Sequence, residues 1–341
     1  MKTQSLATLC VLLVAAAAVS SQQTEWIDPS SHAVKFVPVD EDVQLEVLDW
    51  GGSGPAIVLL AGLGDTGHVF DDFAPMLTCR YRVVGVTRRG HGRSSAPAAG
   101  YGFGRLAEDV VRVIDSVGLN KPVVIGHSFA GEELHALGAR HSAKIAGLVY
   151  IDAAFDRGDD SDNKAYDAVA RTLPAAPRPG PGDLASFSAL TSFLVKTQGF
   201  AGPEGYLRAR WIANADGTIG RMWAPDSPIR QAMSKEMQAA FRPYNPERIR
   251  VPALAIYATP KSATDLMRPW YPADDPVIRE HVETLYRLQR ERVEHHIKWF
   301  ERFAERGRVA RVSGAHHLFL STPREVLQQI EAFMSSISAK P

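Results

Sequence analysis

The sequence predicts an α/β fold, with a mostly parallel central sheet flanked by helices and one inserted, mainly helical cap. Three observations carry this expectation. Short aliphatic or β-branched runs alternate with longer amphipathic stretches along most of the chain, the pattern of strands joined by crossover helices. A serine stands at a strand-to-helix junction within residues 122–140. Between residues 156 and 250 the alternation breaks off.

The chain opens with Lys2, an apolar run over residues 6–19, then Ser20, Ser21, Gln22 and Gln23. The run is shorter than the roughly 20 residues a membrane-spanning helix needs, so residues 1–21 read as a secretory signal peptide and not as a stable membrane anchor. Ala18 and Ser20 supply small residues for a cut after Ser20, and a cut after Ser21 serves nearly as well. The protein is therefore expected to be exported, to a periplasm or beyond. Of its 2 cysteines, Cys10 leaves with the leader and Cys79 stays; a single thiol makes no internal disulfide, so the fold must rest on its core.

Residues 34–48 hold short, partly alternating apolar runs, the mark of an antiparallel hairpin. Residues 56–60, 82–86, 122–125, 146–151, 253–257 and 308–312 read as buried parallel strands. Residues 106–117, 131–140 and 276–306 read as helices. This divides the mature chain into a core of 22–155 and 251–341 around a cap of 156–250. The cap begins with an acidic patch and a Pro-rich run over 173–182, then carries Phe187, Phe193, Leu194, Tyr206, Trp211, Met222 and Trp223. So many large apolar residues would stay wet in a disordered insertion.

Composition narrows the function classes. With 341 residues, 45% hydrophobic and 22% charged, the chain can bury a sizeable core. Lys+Arg 38 balances Asp+Glu 38, so no overall basic field favours nucleic acid, and a small molecule is the expected partner. Composition does not fix an oligomeric state. There is no His-Glu-x-x-His string and no Cys-x-x-Cys pair, and the patch at Asp156, Asp159, Asp160 and Asp162 lacks the Gly-then-Glu spacing of a calcium loop. Neither a metal nor another cofactor is expected on these motifs.

The strongest chemical signal is Gly126 His127 Ser128 Phe129 Ala130 Gly131, directly after the strand 122–125. A turn tight enough to lift a serine hydroxyl above a sheet needs small residues two before and two after it, and Gly126 and Ala130 meet that demand.

With this motif the sequence resembles the α/β-hydrolase fold superfamily over nearly all of the mature chain. Leu59 Leu60 Ala61 Gly62 Leu63 Gly64 is similar to the superfamily's loop after its third strand, and Thr87 Arg88 Arg89 Gly90 His91 Gly92 Arg93 Ser94 resembles its Asp-x-Arg-Gly-x-Gly-x-Ser turn, with Thr87 in place of the acid. The resemblance implies Ser128 as nucleophile and the backbone N–H groups of Leu63 and Phe129 as the oxyanion hole.

A serine needs a base to take its proton. Counting from Gly314 selects His317, and counting back from Ser321 and Pro323 selects His316. His316 is preferred and His317 is the alternative. His127, His295 and His296 are read as packed or solvated.

The orienting acid departs from the common pattern. The turn after 253–257, where most relatives carry it, reads Ala258 Thr259 Pro260 Lys261. Asp152, at the end of 146–151, is preferred, Asp265 is the alternative, and Asp274 and Asp275 stand further off. Relatives that attack with a carboxylate, the dehalogenases and epoxide hydrolases, do not fit Ser128. The resemblance thus implies an esterase-type serine hydrolase acting on an ester, thioester, lactone or activated amide through an acyl-enzyme. Carbon–carbon bond hydrolysis and a non-catalytic ligand-binding protein of the same fold are the other readings. Trp211, Trp223, Trp270, Tyr271, Phe187 and Phe193 are candidates for an apolar pocket or for ordinary core.

Overall fold

The computed structural model describes residues 26–159, 161–240 and 248–338. The expected leader, Cys10 and Asp160 lie outside them.

Eight strands form one sheet: β1 (Ala33–Asp40), β2 (Val43–Gly51), β3 (Ala56–Leu60), β4 (Arg82–Val86), β5 (Val123–His127), β6 (Gly147–Ile151), β9 (Ala253–Ala258) and β10 (Gly307–Val312). Their spatial order is β1-β2-β4-β3-β5-β6-β9-β10. The opening hairpin β1/β2 and the β2/β4 pair are antiparallel, and every other pairing is parallel. The sheet interior reads as unbroken aliphatic runs because it is covered on both faces. On one face α1 (Phe103–Val117), α2 (Ala130–Arg140) and the second half of α7 (Pro276–Phe303) bury Val110, Ile114, Leu137, Ile297 and Phe300. On the other, α9 (Pro323–Ser338) and two 3₁₀ turns, Gly67–Phe70 and Ala74–Met76, bury Val69, Phe70, Phe73, Ile330 and Phe333.

Between β6 and β9 lie α3 (Ser161–Ala170), α4 (Phe187–Gln198), α5 (Glu204–Arg210), the antiparallel pair β7 (Trp211–Ala213) and β8 (Ile219–Met222), and α6 (Ser227–Ala240). The β7/β8 pair is a strand element that the helical expectation did not contain. The long helix α7 starts cleanly: Pro276 needs no N–H partner, and Asp275 accepts from the N–H of Val277 at 2.9 Å. Ile278, Val282 and Leu285 on its first half pack against Leu173 and Ala263 rather than the sheet. The final strand-helix connection holds α8 (Leu318–Ser321). Among the described residues no helix is long and apolar enough to cross a membrane.

This topology places the site. From β3 the chain moves to β4 on one side and later returns to β5 on the other, so the loops after β3 and β5 diverge at a switch in strand order. Such a crevice is where open α/β sheets bind ligands.

Candidate active site

Ser128 follows β5 directly and has a positive φ of 52°, a conformation that costs a non-glycine residue energy and is held by its surroundings. Its N–H donates to Ile151 O at 3.2 Å, and its carbonyl accepts from Gly131 N–H at 3.0 Å. The small neighbours are sterically required. A Cβ on Gly126 would lie 2.9 Å from Ala130 Cβ, and one on Gly131 would lie 2.0 Å from Ala153 O.

The Ser128 hydroxyl is 2.9 Å from His316 Nε2, and His316 Nδ1 is 2.6 Å from Asp152 Oδ2. With the imidazole proton on Nδ1, His316 donates to Asp152 and accepts from Ser128. Asp152 closes β6, also has a positive φ, of 43°, and accepts from Ala258 N–H through Oδ1 at 3.0 Å. One carboxylate thus both caps a strand and holds the imidazole. His316 lies between β10 and α8, where its carbonyl accepts from His127 Nε2 at 3.1 Å.

The alternatives lie elsewhere. Asp265 accepts from Lys261 N–H at 2.6 Å and closes its own turn. His317 Nε2 points to Asp65 Oδ2 at 3.2 Å. Asp274 meets Arg279 and Asp275 caps α7. His127 is fully buried and its ring meets those of His316 and His317 at tilted angles, with centroids 4.5 Å from each. Burial first, then the neighbouring imidazoles, pushes its pKa far down, so it stays neutral. His296 is also buried and is held down to about 3, chiefly by burial.

The loop after β3 presses against the serine, and a Cβ on Gly62 would lie 3.4 Å from Ser128 Cβ. The Leu63 side chain is 53% exposed. Neither the Leu63 nor the Phe129 N–H is consumed by a turn or loop hydrogen bond among the described residues. Arg88 fixes this loop: its guanidinium donates to Ala61 O at 2.7 Å and Gly62 O at 3.2 Å, and pairs with the buried Glu133 of α2.

Asp65 gathers His317, Tyr206 and Arg210, the last two at 2.7 Å each. Burial alone would raise its pKa; the contacts with His317, Tyr206 and Arg210 outweigh it and hold the carboxyl at about 2. Asp65, His127 and His317 could in principle ligate a metal, but Arg210 already supplies the charge that Asp65 needs.

Several of these roles were invisible as motifs. Thr87, standing where the resemblance expects an acid, donates to Glu46 Oε2 and accepts from Gly67 N–H, both at 2.9 Å. An acid is therefore present, but it comes from β2. The Tyr206 and Arg210 pair, four apart on α5, is a helical-face spacing that could have been noticed.

Above Ser128 opens a cavity of about 780 Å³. None of the six aromatic candidates lines it; Phe187, for example, packs with Leu190 in the core. Arg157, Arg268, Arg292, Asn163 and Gln289 do line it. Arg157 is paired with Glu132 at 3.2 Å. Arg292 donates to the uncharged amide oxygens of Asn163 and Gln289, at 3.2 and 2.6 Å. The six aromatic candidates thus lie outside this lining, which mixes arginines and amides with Asp152, Asp265, Phe155, Tyr166 and Phe200.

Residues 57–329 match the alpha/beta hydrolase family. The magnesium-chelatase 30 kDa subunit of Rhodobacter capsulatus is 34% identical over 137 residues, 40% of this chain and 48% of that protein. The 2-(acetamidomethylene)succinate hydrolase of Mesorhizobium japonicum is 31% identical over 122 residues, 35% of this chain and 41% of its own length. The chain spans less than half the length of these curated relatives. A crystal structure of E-2-(acetamidomethylene)succinate hydrolase superposes with a TM-score of 0.56 at 18% identity, covering 89% of this chain and 99% of that one. At that identity the likeness is one of fold.

Proposed function

The chain belongs to the alpha/beta hydrolase family, and from that premise we propose that it is an exported serine hydrolase that cleaves a carboxylic ester through an acyl-enzyme on Ser128. The observation that carries this reading is the unbroken chain from Ser128 Oγ through both ring nitrogens of His316 to Asp152. As Oγ attacks the carbonyl carbon, its proton passes to His316 Nε2, and Asp152 stabilises the imidazolium and keeps its orientation. The tetrahedral oxygen takes up negative charge opposite the N–H groups of Leu63 and Phe129. Each fixed donor contributes about 3 kcal/mol when water is excluded. His316 then returns the proton to the departing alkoxide, and a water molecule, deprotonated by the same imidazole, releases the acid.

The test is fluorophosphonate labelling of the exported chain and of Ser128→Ala, read by intact mass. The wild type is expected to gain one probe mass and the variant none, and the same spectrum should show a chain lacking residues 1–20 or 1–21. A folded wild type that stays unlabelled would favour a ligand-binding protein. A full-length mass would remove the export reading.

The lining of the cavity supports an ester that carries a carboxylate or another anionic group away from the scissile bond, because among the described residues Arg292 meets the uncharged amide oxygens of Asn163 and Gln289. With matched substrates, the acidic ester should have a kcat/KM at least about tenfold above its neutral methyl analogue, and Arg292→Gln should erase that preference mainly through KM. Equal kcat/KM values for the two wild-type reactions would sink the anionic preference.

A further inference from the structure

We propose that Asp28, His32, His68 and Asp71 bind one zinc ion, separate from the Ser128–His316–Asp152 set, and that this ion fastens the N-terminal segment to the turn after the Leu63 loop. The four residues come from two distant stretches: Asp28 and His32 precede β1, while His68 lies in the first 3₁₀ turn and Asp71 caps its end. One donor atom from each lies within 4.8 Å of all the others. Neighbouring donors are 3.0 Å apart for His68 Nδ1 and Asp71 Oδ2, 3.2 Å for His32 Nδ1 and Asp71 Oδ1, and 3.6 Å for His68 Nδ1 and Asp28 Oδ2. A tetrahedral zinc with bonds of about 2.0–2.1 Å sets its ligands about 3.3 Å apart, in the middle of these spacings.

The His32 and Asp71 side chains are only 2% and 1% exposed, and their facing atoms Nδ1 and Oδ1 lie 3.2 Å apart without the alignment of a hydrogen bond. Buried polar atoms are ordinarily satisfied. The cap adds a further observation. Gly205 of α5 faces the cluster, and a Cβ there would lie 2.9 Å from Asp71 Oδ2 and 3.0 Å from Asp28 Oδ2. The glycine leaves the donors their space.

The surroundings complete the pattern of a zinc centre. Glu46 Oε1, also buried and without a hydrogen bond, lies 3.8 Å behind His68 Nε2. A carboxylate behind a ligating imidazole fixes its tautomer and orientation. Thr87 holds the other Glu46 oxygen, and Ser30 N–H donates to Asp28 Oδ1 at 2.9 Å. The carboxylates of Asp28, Asp71 and Glu46 gather around the two imidazoles, with Arg93 3.9 Å from Glu46 at the rim, and a divalent ion would offset part of their charge. Two nitrogen donors select zinc over calcium, which takes oxygen alone. The ion takes no part in the acyl transfer.

The experiment is a zinc titration of the chelator-stripped protein against a chromophoric competitor, followed by thermal melting with and without zinc. One equivalent should bind per chain and raise the melting temperature. Asp28→Asn, at a partly exposed position, and Glu46→Gln should each weaken binding about 10–100-fold while remaining folded by circular dichroism. His32→Ala should abolish it. His317→Ala, which dismantles the other group of possible ligands, should leave it unchanged. A folded, stripped wild type that binds no zinc would overturn the proposal. So would zinc binding that survives His32→Ala and Asp28→Asn, or stabilisation by calcium in place of zinc.

Discussion

Asp152 joins two tasks that the sequence offered as rivals. A strand-end acid that only capped β6 would need its hydrogen bond to Ala258 N–H and nothing more; here the second oxygen also reaches His316 Nδ1. Asparagine at this position would present an amide N–H toward Nδ1, drive the imidazole proton to Nε2 and leave no lone pair facing Ser128. Asp152→Asn is therefore expected to lower kcat by about 10³–10⁴-fold, while Asp265→Asn, which only loosens its own turn, should change it less than a few-fold. Steady-state kinetics on one ester decide this, and the reverse ranking would move the acid to Asp265. His127, beside Ser128, is a neutral buried ring that donates to His316 O and so helps to fix the position of His316.

At the scale of elements, the site depends on holding the β3 loop, the exit of β4 and α2 in fixed relation. Arg88 does this by donating to Ala61 O and Gly62 O while its charge meets Glu133. Burial pushes Glu133 up and the Arg88 charge opposes it, so neither ion is easily spared. Arg88→Met should cost about 3–5 kcal/mol by urea unfolding, because it leaves a buried carboxylate alone. Arg88→Met with Glu133→Leu should recover most of that stability but not kcat/KM, since the loop carbonyls stay untethered. Full recovery of both would reduce the ion pair to a packing role.

For the whole molecule, Asp65 is where cap and core meet, binding Tyr206 and Arg210 of α5 and His317 from beyond β10. Its pKa is depressed from 3.8 to about 2, so its contribution is fully present above the unfolded-state value and is lost as pH falls through about 2. The shift corresponds to about 2 kcal/mol. Asp65→Asn should lower the unfolding free energy by at least this amount at pH 7, and the gap from wild type should narrow between about pH 4 and 2. A gap independent of pH would show that packing, not charge, joins α5 to the core.

The fold was legible because its signals are local. Runs such as 56–60 and 82–86 sit on β3 and β4 residue for residue, since a strand covered on both faces admits only apolar side chains. The serine turn was legible because steric crowding demands small residues at fixed offsets in the chain. Two adjacent histidines each fitted one way of counting, with His316 preferred, and the path of the chain from β10 into α8 turns His316 to Ser128 and His317 to Asp65. The pocket lining was not legible for a related reason: hydrophobicity says that an aromatic residue is buried, not what it is buried against. Glu46 meeting Thr87, Arg88 meeting Glu133, and His32 meeting Asp71 each join residues about 40 positions apart. The sequence by itself determined the elements and the tight turn that carries Ser128, through periodicity and steric demand. Only the tertiary structure decided which charges meet, because that depends on how the strands are ordered and on where the cap comes to rest.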